Sequence, residues 1–412
     1  MSRCDVIVLG GGIIGCATAW ELAERGKAVC LLERGTVGCE ASTAAAGILS
    51  SQMDVERPGP FFELCQASRR LYPRWITRLE QRSRISVGFH VDGIVFLAMT
   101  ELEERRMARQ ARWQTARGLR VERWSSREVR RREPSVDGRL RCGFSFPTEA
   151  QIDNGRLMQA LAVACRKARV ELRERTAVKR LRIRHGRVRG VETDHGALEA
   201  PVVVNCLGSW ASMGGAFPIP LPVEPARGQM LAFLGPKRLL RHVVMSERAY
   251  AVQRRDGRVL VGSTVERAGF DKSLTLEGIH AILCGIRHMS RMLDRCTFRE
   301  AWAGFRPVTP DRLPILGSTP IEGLYVATGH FRHGILLAPI TAQVLADLIQ
   351  AGRPALDLAP FSPLRFDKAH PGHHTPRKAT GLCGAWKDRR DAEAVLADVR
   401  FARRWRIGTH QA

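Results

Sequence analysis

The sequence predicts a two-domain protein of the α/β class, and the strongest evidence lies close to its N-terminus. A short apolar strand at residues 5–9 is followed by the glycine-rich turn GGGIIG at residues 10–15. Residues 16–25 then have helical spacing, Gly26 ends the helix, and Ala28–Leu32 forms a second apolar strand. Together these segments make a complete β-turn-α-β unit of the Rossmann type.

The glycine-rich turn has the spacing of a dinucleotide-binding site. In Gly10-x-Gly12-x-x-Gly15 the first glycine permits a tight turn, the second lets the backbone approach a pyrophosphate, and the third allows close helix–strand packing. Glu33 ends the second strand, where a carboxylate accepts both ribose hydroxyls and argues against a 2′-phosphate. The unit is therefore predicted to bind FAD or NAD. The small residues of 38–49 suggest a second backbone strip along the cofactor, which favours FAD.

Helices and strands alternate along the rest of the chain. Helical spacing is found in residues 61–80, 101–117, 157–168, 274–293 and 334–350, and a capping box at Ser125-x-x-Glu128 opens another helix. Strand patterns are found in residues 87–99 (two strands around Asp92-Gly93), 176–193 (a hairpin around His185-Gly186), 200–207, 222–265 and 323–328.

Composition limits the classes of function. The 412 residues include 65 Lys and Arg against 41 Asp and Glu, for a net charge of +24, but aromatic residues are only 6%. A nucleic-acid binder interleaves its basic face with aromatics, so we expect no nucleic-acid partner and an attraction to anionic substrates. The chain has no uncharged apolar run of about 18 residues, so we expect no integral membrane segment.

The cysteines indicate a reducing compartment. Their number is odd, eleven, with no C-x-x-C pair and no spacing typical of a metal site. Cys16, Cys30 and Cys206 lie in apolar runs and are interpreted as core residues. We therefore expect a cytoplasmic protein without a bound metal.

Candidate substrate-binding residues occur in the second half of the chain. Arg306 lies in an apolar strand, where it either forks onto a substrate carboxylate or makes a structural ion pair. Tyr250 either supplements that contact or is an ordinary tyrosine at the edge of the core. His330 and His333 precede a helix whose N-terminus can face developing negative charge. The sequence pairs neither with a Ser or Cys nucleophile, so no catalytic triad is predicted.

Four segments together resemble one known family. DVIVLGGGIIG, the ERG…EASTAAAGIL stretch, WAGFRPVTPDRLPILG and ATGHFRHGILLAP are similar to the D-amino-acid oxidase superfamily, and within it to the glycine oxidases of the ThiO type; the PARGQML segment also fits. The resemblance spans residues 4 to about 366. It implies a Rossmann-like FAD-binding domain, built from residues 1–88, 150–218 and 304–366, and a smaller antiparallel-sheet substrate domain, built from residues 89–149 and 219–303. Residues 367–412 form a basic tail, expected to be poorly ordered with one helix near 390–405.

The resemblance also implies the site residues. Non-covalent FAD would contact, besides the three glycines and Glu33, residues Ile13, Ile14, Arg34, Ala41, Ser42, Ala46, Gly47, Ile48, Val178, His330, Phe331, Arg332, His333, Gly334, Ile335 and Leu336. Gly208, at the end of the strand in 200–207, is assigned to the same site. The substrate-side residues would be Tyr250, Arg306 and Arg332. Two positions depart from the family: His333 replaces an asparagine, and Val265 stands where a methionine is expected.

The implied reaction is the oxidation of glycine or another small amine by hydride transfer to flavin N5. No protein acid or base is required, so no catalytic residue is assigned. Oxygen would reoxidise the flavin to give peroxide, and the imine would hydrolyse to glyoxylate and ammonia or pass to thiazole synthase in thiamine biosynthesis. A homotetramer is expected. The alternatives are a D-amino-acid or sarcosine oxidase, a dehydrogenase related to hydrogen cyanide synthase, a tRNA-modifying flavoprotein, or a flavin-binding protein without catalysis.

Overall fold

The protein was analysed as a computed structural model, which describes residues 4–213 and 217–366. These residues form strands β1–β19 and helices α1–α8, numbered in chain order. The α/β class is confirmed. The expectations for residues 367–412 lie outside the described residues.

A six-stranded sheet holds the N-terminal nucleotide-binding unit. Its order is β18-β19-β12-β1-β2-β8, and all neighbours are parallel except β18 and β19. The strands are β1 (Val6–Leu9), β2 (Val29–Leu32), β8 (Glu171–Arg173), β12 (Val202–Asn205), β18 (Ile315–Ser318) and β19 (Leu324–Thr328). In such a sheet the carboxyl ends of the parallel strands share one edge, where ligands bind.

Both faces of this sheet are covered, which explains the continuous apolar runs of its strands. Val6 and Val8 pack on one face against the helices, whereas Ile7 and Leu9 pack on the other against a small three-stranded sheet. The covering helices are α1 (Ile13–Glu24), α3 (Pro60–Ser83), α6 (Asn154–Lys167) and α8 (Gly334–Ala351). The small sheet consists of β9 (Val178–Arg184), β10 (Arg187–Thr193) and β11 (Gly196–Glu199).

An eight-stranded sheet forms the second core. Its order is β17-β13-β16-β15-β14-β4-β6-β5, and every neighbouring pair is antiparallel except β14 and β4. The strands are β4 (Ile94–Ala98), β5 (Glu122–Ser125), β6 (Cys142–Phe146), β13 (Glu224–Leu234), β14 (Val243–Met245), β15 (Tyr250–Gln253), β16 (Arg258–Gly262) and β17 (Thr297–Val308). The remaining elements are α2 (Ala41–Ala44), β3 (Ile48–Leu49), α4 (Glu101–Thr115), α5 (Ser126–Arg132), β7 (Ala150–Gln151) and α7 (Leu276–Met289).

Strand β17 crosses one of the predicted domain boundaries. It runs from Thr297 to Val308 and so passes through residue 304, where the sequence placed a domain boundary. Its whole length pairs with β13. The domain boundaries given above stay predictions.

Local sequence signals located most helices to within a few residues. The capping box at Ser125 is present, with the Ser125 hydroxyl accepting from the Glu128 N–H at 3.2 Å. The predicted pair of strands in 87–99 is wrong, because only β4 forms there. His90 instead bridges to Gln151, so the chain before Gly93 pairs with a different segment and does not fold back on β4.

Helix α8 runs from Gly334 to Ala351, one residue longer than the predicted 334–350. Among the described residues it is the one helix whose length and hydropathy would suit a membrane crossing, and it carries Asp347 near its end. Most of it is buried against α1 and α3. It is therefore explained as a core helix of this fold.

Candidate active site

The turn between β1 and α1 is too close-packed for side chains. A Cβ on Gly15 would lie 1.9 Å from the carbonyl oxygen of Gly10, and a Cβ on Gly10, where φ is +99°, would lie 2.6 Å from the carbonyl oxygen of Cys206. Gly12 is the extended residue that precedes α1, and Ile13 and Ile14 begin the helix. The turn thus presents bare backbone at a helix N-terminus, as an anionic pyrophosphate requires.

Glu33 is fixed beside this turn. Its Oε2 accepts a hydrogen bond from the Gly11 N–H at 2.7 Å, and its Oε1 accepts from the Gly35 N–H at 2.8 Å. The Glu33 carbonyl accepts from the Thr176 N–H at 2.8 Å, two residues before Val178 begins β9. The structure therefore brings Val178, at the start of β9, close to Glu33, which follows β2 of the six-stranded sheet.

Arg34 and Gly208 lie at the same edge. The Arg34 guanidinium stacks over the Trp210 ring, 4.0 Å from its centroid, and lies 3.7 Å from the Glu40 carboxylate. Gly208 has a φ of +55°, and its carbonyl accepts from the Thr328 hydroxyl at 2.9 Å. Chain segments following β1, β2, β12 and β19 thus converge, as expected at the ligand-binding edge of an α/β sheet.

The second strip, residues 38–49, joins the turn directly. The Ser42 hydroxyl accepts from the Ile13 N–H at 2.8 Å, so α2 lies against the start of α1. Gly47 has a φ of +65°, and a Cβ there would lie 2.0 Å from the carbonyl oxygen of Ile152. Ile48 continues the strip as β3.

The same strip contacts the strand that carries Arg306. The Trp302 Nε1–H donates to the Ala44 carbonyl at 2.9 Å, and a Cβ on Gly304 would lie 2.5 Å from the Cβ of Ala44. Ala41 belongs to the same short helix, and the Ala46 carbonyl accepts from the Arg254 guanidinium at 2.7 Å. Residues assigned to the cofactor and to the substrate are therefore on adjoining segments.

Tyr250, Arg306 and Arg332 lie close together. Burial lowers the pKa of Arg306 below the usual value of a guanidinium, while the neighbouring Tyr250 raises it and Arg332 lowers it further. Arg306 donates to the Thr264 carbonyl at 3.0 Å and to the Ser263 hydroxyl at 2.7 Å. No carboxylate lies within ion-pair distance of Arg306 anywhere in residues 4–213 and 217–366.

Two glycines make room for this group. A Cβ on Gly228 would lie 2.1 Å from a terminal nitrogen of Arg306, and a Cβ on Gly262 would lie 2.9 Å from the Tyr250 hydroxyl. The Tyr250 hydroxyl lies 3.1 Å from the sulfur of Met230, to which it donates. Register explains the cluster, because Gly262 is paired with both Met230 and Tyr250 in the sheet.

The segment before α8 is anchored to the same strand. The Phe331 N–H donates to the Pro307 carbonyl at 2.9 Å, and Phe331 has a φ of +48°. Arg332 lies 4.0 Å from the Asp54 carboxylate. Gly334, Ile335 and Leu336 form the first turn of α8.

The two histidines of this segment are buried. His330 shares a hydrogen bond with the Thr341 hydroxyl at 3.1 Å, and burial, followed by the charge of His333, lowers the pKa of His330 to about 3. Burial also lowers the pKa of His333, whose Nε2 has no hydrogen-bond partner among the described residues. Both imidazoles are therefore neutral at pH 7.

Sequence reasoning missed several residues of the site. It assigned no role to Gly228, Met230, Gly262, Ser263 or Thr264, although the PARGQML segment contains the first two. These residues reach Arg306 and Tyr250 only through the pairing of β13 with β16 and β17. The available signal was a pair of glycines inside strand patterns, which marks a close approach of another group.

Comparison with known proteins agrees with this geometry. Residues 5–348 match the family model described as FAD dependent oxidoreductase. The chain belongs to this family. The family resemblance predicted from the sequence is confirmed, and FAD is the cofactor.

Individual relatives of this oxidoreductase include glycine oxidases. A glycine oxidase of Geobacillus kaustophilus is 34% identical over 365 residues, which cover 87% of this chain and 96% of the relative. The crystal structure of glycine oxidase from that organism superposes with a TM-score of 0.86 over 89% of this chain and 99% of the other. The bifunctional protein ThiO/ThiG of Synechocystis sp. is 36% identical over 370 residues, covering 88% of this chain but 54% of the relative. The chain thus spans about half the length of that bifunctional protein.

The described residues of this oxidoreductase fit FAD. The bare turn at Gly10, Gly12 and Gly15 would hold its pyrophosphate, and the Glu33 carboxylate would hold its ribose. The strip at Ala46–Ile48 and the first turn of α8 would hold its ring, and the unpartnered Nε2 of buried His333 is a polar atom available to it. These residue assignments stay predictions.

Proposed function

We propose that this chain is an FAD-dependent amino-acid oxidase that acts on glycine or a similarly small amine. The product imine would hydrolyse to glyoxylate and ammonia, and oxygen would be reduced to hydrogen peroxide. When bound, FAD supplies the two-electron acceptor for this reaction. The residues of the chain supply binding, orientation and a site shielded from water.

The observation that carries the proposal is the unpaired charge of Arg306. The guanidinium is partly buried and donates to the neutral oxygens of Ser263 and Thr264, and among the described residues no carboxylate lies within ion-pair distance of it, the charge of Glu266 acting from farther away. A cation removed from water without a counter-ion is costly unless it binds an anionic ligand. A substrate carboxylate would fork onto Arg306 and accept from the Tyr250 hydroxyl, and this contact supports an amino acid as the substrate.

The surroundings of that pair favour a small substrate. The Met230 sulfur and the Trp302 ring lie on the strands beside Tyr250 and Arg306, and the Arg332 guanidinium is close enough to lower the pKa of Arg306. Ala46 and Ile48 of the second strip pack in one cluster with Met230, Tyr250 and Trp302, so a carboxylate held by Tyr250 and Arg306 would lie near that strip. No side chain has to act as an acid or base at Cα; the neutral substrate amine would assist hydride departure, and orientation would supply the catalysis.

The cellular role belongs to the same proposal. A relative that joins a ThiO part to a ThiG part supports a role in thiamine biosynthesis, with the imine passed on to thiazole synthase. A cytoplasmic location and a homotetramer are proposed with it. Ten cysteines of the described residues are free thiols, as suits a reducing compartment.

The test is an anaerobic spectrum of the purified protein before and after glycine is added. Bleaching of the flavin bands by glycine, followed by their return with one peroxide per turnover in air, would establish the oxidase. Bleaching only by sarcosine or a D-amino acid would change the substrate. Bleaching by glycine without reoxidation by air would identify a dehydrogenase with a separate acceptor, and no bleaching by any small amine would refute the proposal.

A further inference from the structure

Three groups that commonly bind metal ions meet near the end of the six-stranded sheet opposite the cofactor turn. They are the sulfurs of Cys4 and Cys30 and a carboxylate oxygen of Glu171, which all lie within 4.8 Å of one another. In residues 4–213 and 217–366 no other such group of three is found. The FAD chemistry proposed above uses none of these residues.

The topology explains how the three residues meet. Cys30 on β2 and Glu171 at the start of β8 are register partners in neighbouring parallel strands. Cys4 lies two residues before β1, which is on the other side of β2. Because the three positions lie far apart in the sequence, no ligand spacing is visible there.

The Glu171 carboxylate is already oriented. Its Oε1 accepts a hydrogen bond from the Arg173 Nε–H at 2.9 Å and lies 2.7 Å from a terminal nitrogen of the same guanidinium. The Cys4 thiol donates a hydrogen bond to Oε2 of Glu171 at 4.0 Å. An outer residue that holds a ligating carboxylate in place is the usual support of such a ligand in a metal site.

The donor set suits a divalent ion. Sulfur and carboxylate oxygen are ligands that zinc takes in proteins, and binding the ion would release the two thiol protons. Ligands of one tetrahedral zinc ion lie about 3.5–3.8 Å apart, given bonds of about 2.0–2.3 Å. The three atoms, all within 4.8 Å of one another, lie somewhat farther apart than that spacing.

We propose that Cys4, Cys30 and Glu171 bind one divalent ion of the zinc type, with water as the fourth ligand. The ion ties the N-terminal segment to β2 and β8. Cys30 lies on β2, and Glu33 directly follows that strand, so the ion stabilises the strand that presents Glu33. The site is structural, and it does not depend on the proposed reaction.

The test uses untagged, full-length protein with FAD bound, reduced and freed of metal by a chelator. Cobalt(II) is titrated while absorbance is recorded at wavelengths beyond the flavin bands, and zinc is then added. The expected result is one cobalt ion per chain with the visible bands of thiolate coordination, displaced by zinc. Zinc also raises the melting temperature.

Variants locate the ion. Cys4→Ser and Glu171→Gln are expected to weaken cobalt binding at least tenfold and to abolish the zinc-dependent rise in melting temperature. Cys284→Ser is the matched control, because that exposed thiol lies 3.2 Å from the His280 ring nitrogen and outside the cluster. Its cobalt binding is expected to equal that of the wild type.

Three results would overturn the proposal. The first is an absence of thiolate-type cobalt bands in the reduced protein. The second is equal binding by wild type and Cys4→Ser, or loss of binding in Cys284→Ser. The third is a Cys4–Cys30 disulfide found by mass spectrometry in protein isolated under reducing conditions.

Discussion

The hydroxyl of Tyr72 in α3 donates a hydrogen bond to the main-chain carbonyl of Ile335 in the first turn of α8. Helix geometry explains why that carbonyl is available. Its regular partner would be the N–H of residue 339, which is Pro339 and has none. The Ser68 hydroxyl donates to the next carbonyl, that of Leu336, at 2.5 Å. Helix α3 thus completes the helix turn that the cofactor site requires.

Removal of this hydroxyl should destabilise the protein. Tyr72→Phe leaves a buried carbonyl unsatisfied, so we expect the free energy of unfolding to fall by about 1–3 kcal/mol. Urea unfolding of the FAD-bound protein measures it. Tyr325→Phe is the control, because the Tyr325 hydroxyl has no hydrogen bond among the described residues. An equal loss in both variants would contradict the prediction.

Arg306 should control substrate affinity. Arg306→Ala removes the charge-assisted contact with the carboxylate, so the KM for glycine should rise about 10- to 100-fold while FAD occupancy is unchanged. Arg306→Lys retains the charge without the bidentate geometry, so its KM should lie between those of the wild type and Arg306→Ala. Steady-state peroxide production measures KM. An unchanged KM in the alanine variant would remove Arg306 from the substrate site.

Gly228 should influence the KM for glycine only through its contact with Arg306. In Gly228→Ala the new methyl carbon would lie 2.1 Å from an Arg306 nitrogen, so the guanidinium must move and the KM should rise at least tenfold. Gly155→Ala, whose new methyl carbon would be 3.4 Å from Asp153, is the control and should keep the wild-type KM. If the effect is mediated by Arg306, the double variant Gly228→Ala/Arg306→Ala should have nearly the same KM as Arg306→Ala alone.

Glu33 should hold FAD through its charge. Glu33→Gln keeps the shape but weakens acceptance from the Gly11 and Gly35 N–H groups and from the ribose, so the FAD dissociation constant should rise about tenfold or more. Flavin fluorescence during titration of the apoprotein measures it. Glu322→Gln, at an exposed ion pair with Arg187, should leave FAD binding unchanged. Full flavin retention in Glu33→Gln would contradict the ribose assignment.

His330 should make the fold sensitive to acid. Its pKa is lowered to about 3 in the folded protein, mainly by burial, whereas the unfolded chain takes up this proton near pH ~6.5. Stability is therefore lost as the pH falls from about 6.5 toward 3, by up to ~1.4 kcal/mol per pH unit. His330→Asn should flatten this decline in urea unfolding measured across pH. His185→Asn, in the exposed β9–β10 turn, should leave the decline unchanged.

The sequence predicted those parts of the site whose geometry is local. The turn at residues 10–15, its helix and Glu33 lie within one β-turn-α-β unit, so spacing alone determines their arrangement. The capping box at Ser125 is local in the same sense. Arg306 was singled out because a charge in an apolar strand needs a partner.

The parts that sequence reasoning missed depend on pairing between distant strands. Gly228 meets Arg306 because β13 and β17 are neighbours, and Gly262 meets Tyr250 because β15 and β16 are. A glycine within a strand pattern signals a close approach but does not identify the approaching group. The segment 87–99 was misread for the same reason, since His90 pairs with Gln151.

The order of strands in the six-stranded sheet has a consequence for biosynthesis. Strand β1, which carries the cofactor turn, is flanked by β2 from the same N-terminal unit and by β12 from the middle of the chain, and β12 is flanked in turn by β19. On the ribosome the glycine-rich turn emerges first, but the carbonyl of Cys206 that packs against it emerges much later. The first turn of α8 follows later still. A nascent chain therefore cannot enclose the flavin until most of its length has been translated, and cofactor loading is one of the last steps in its maturation.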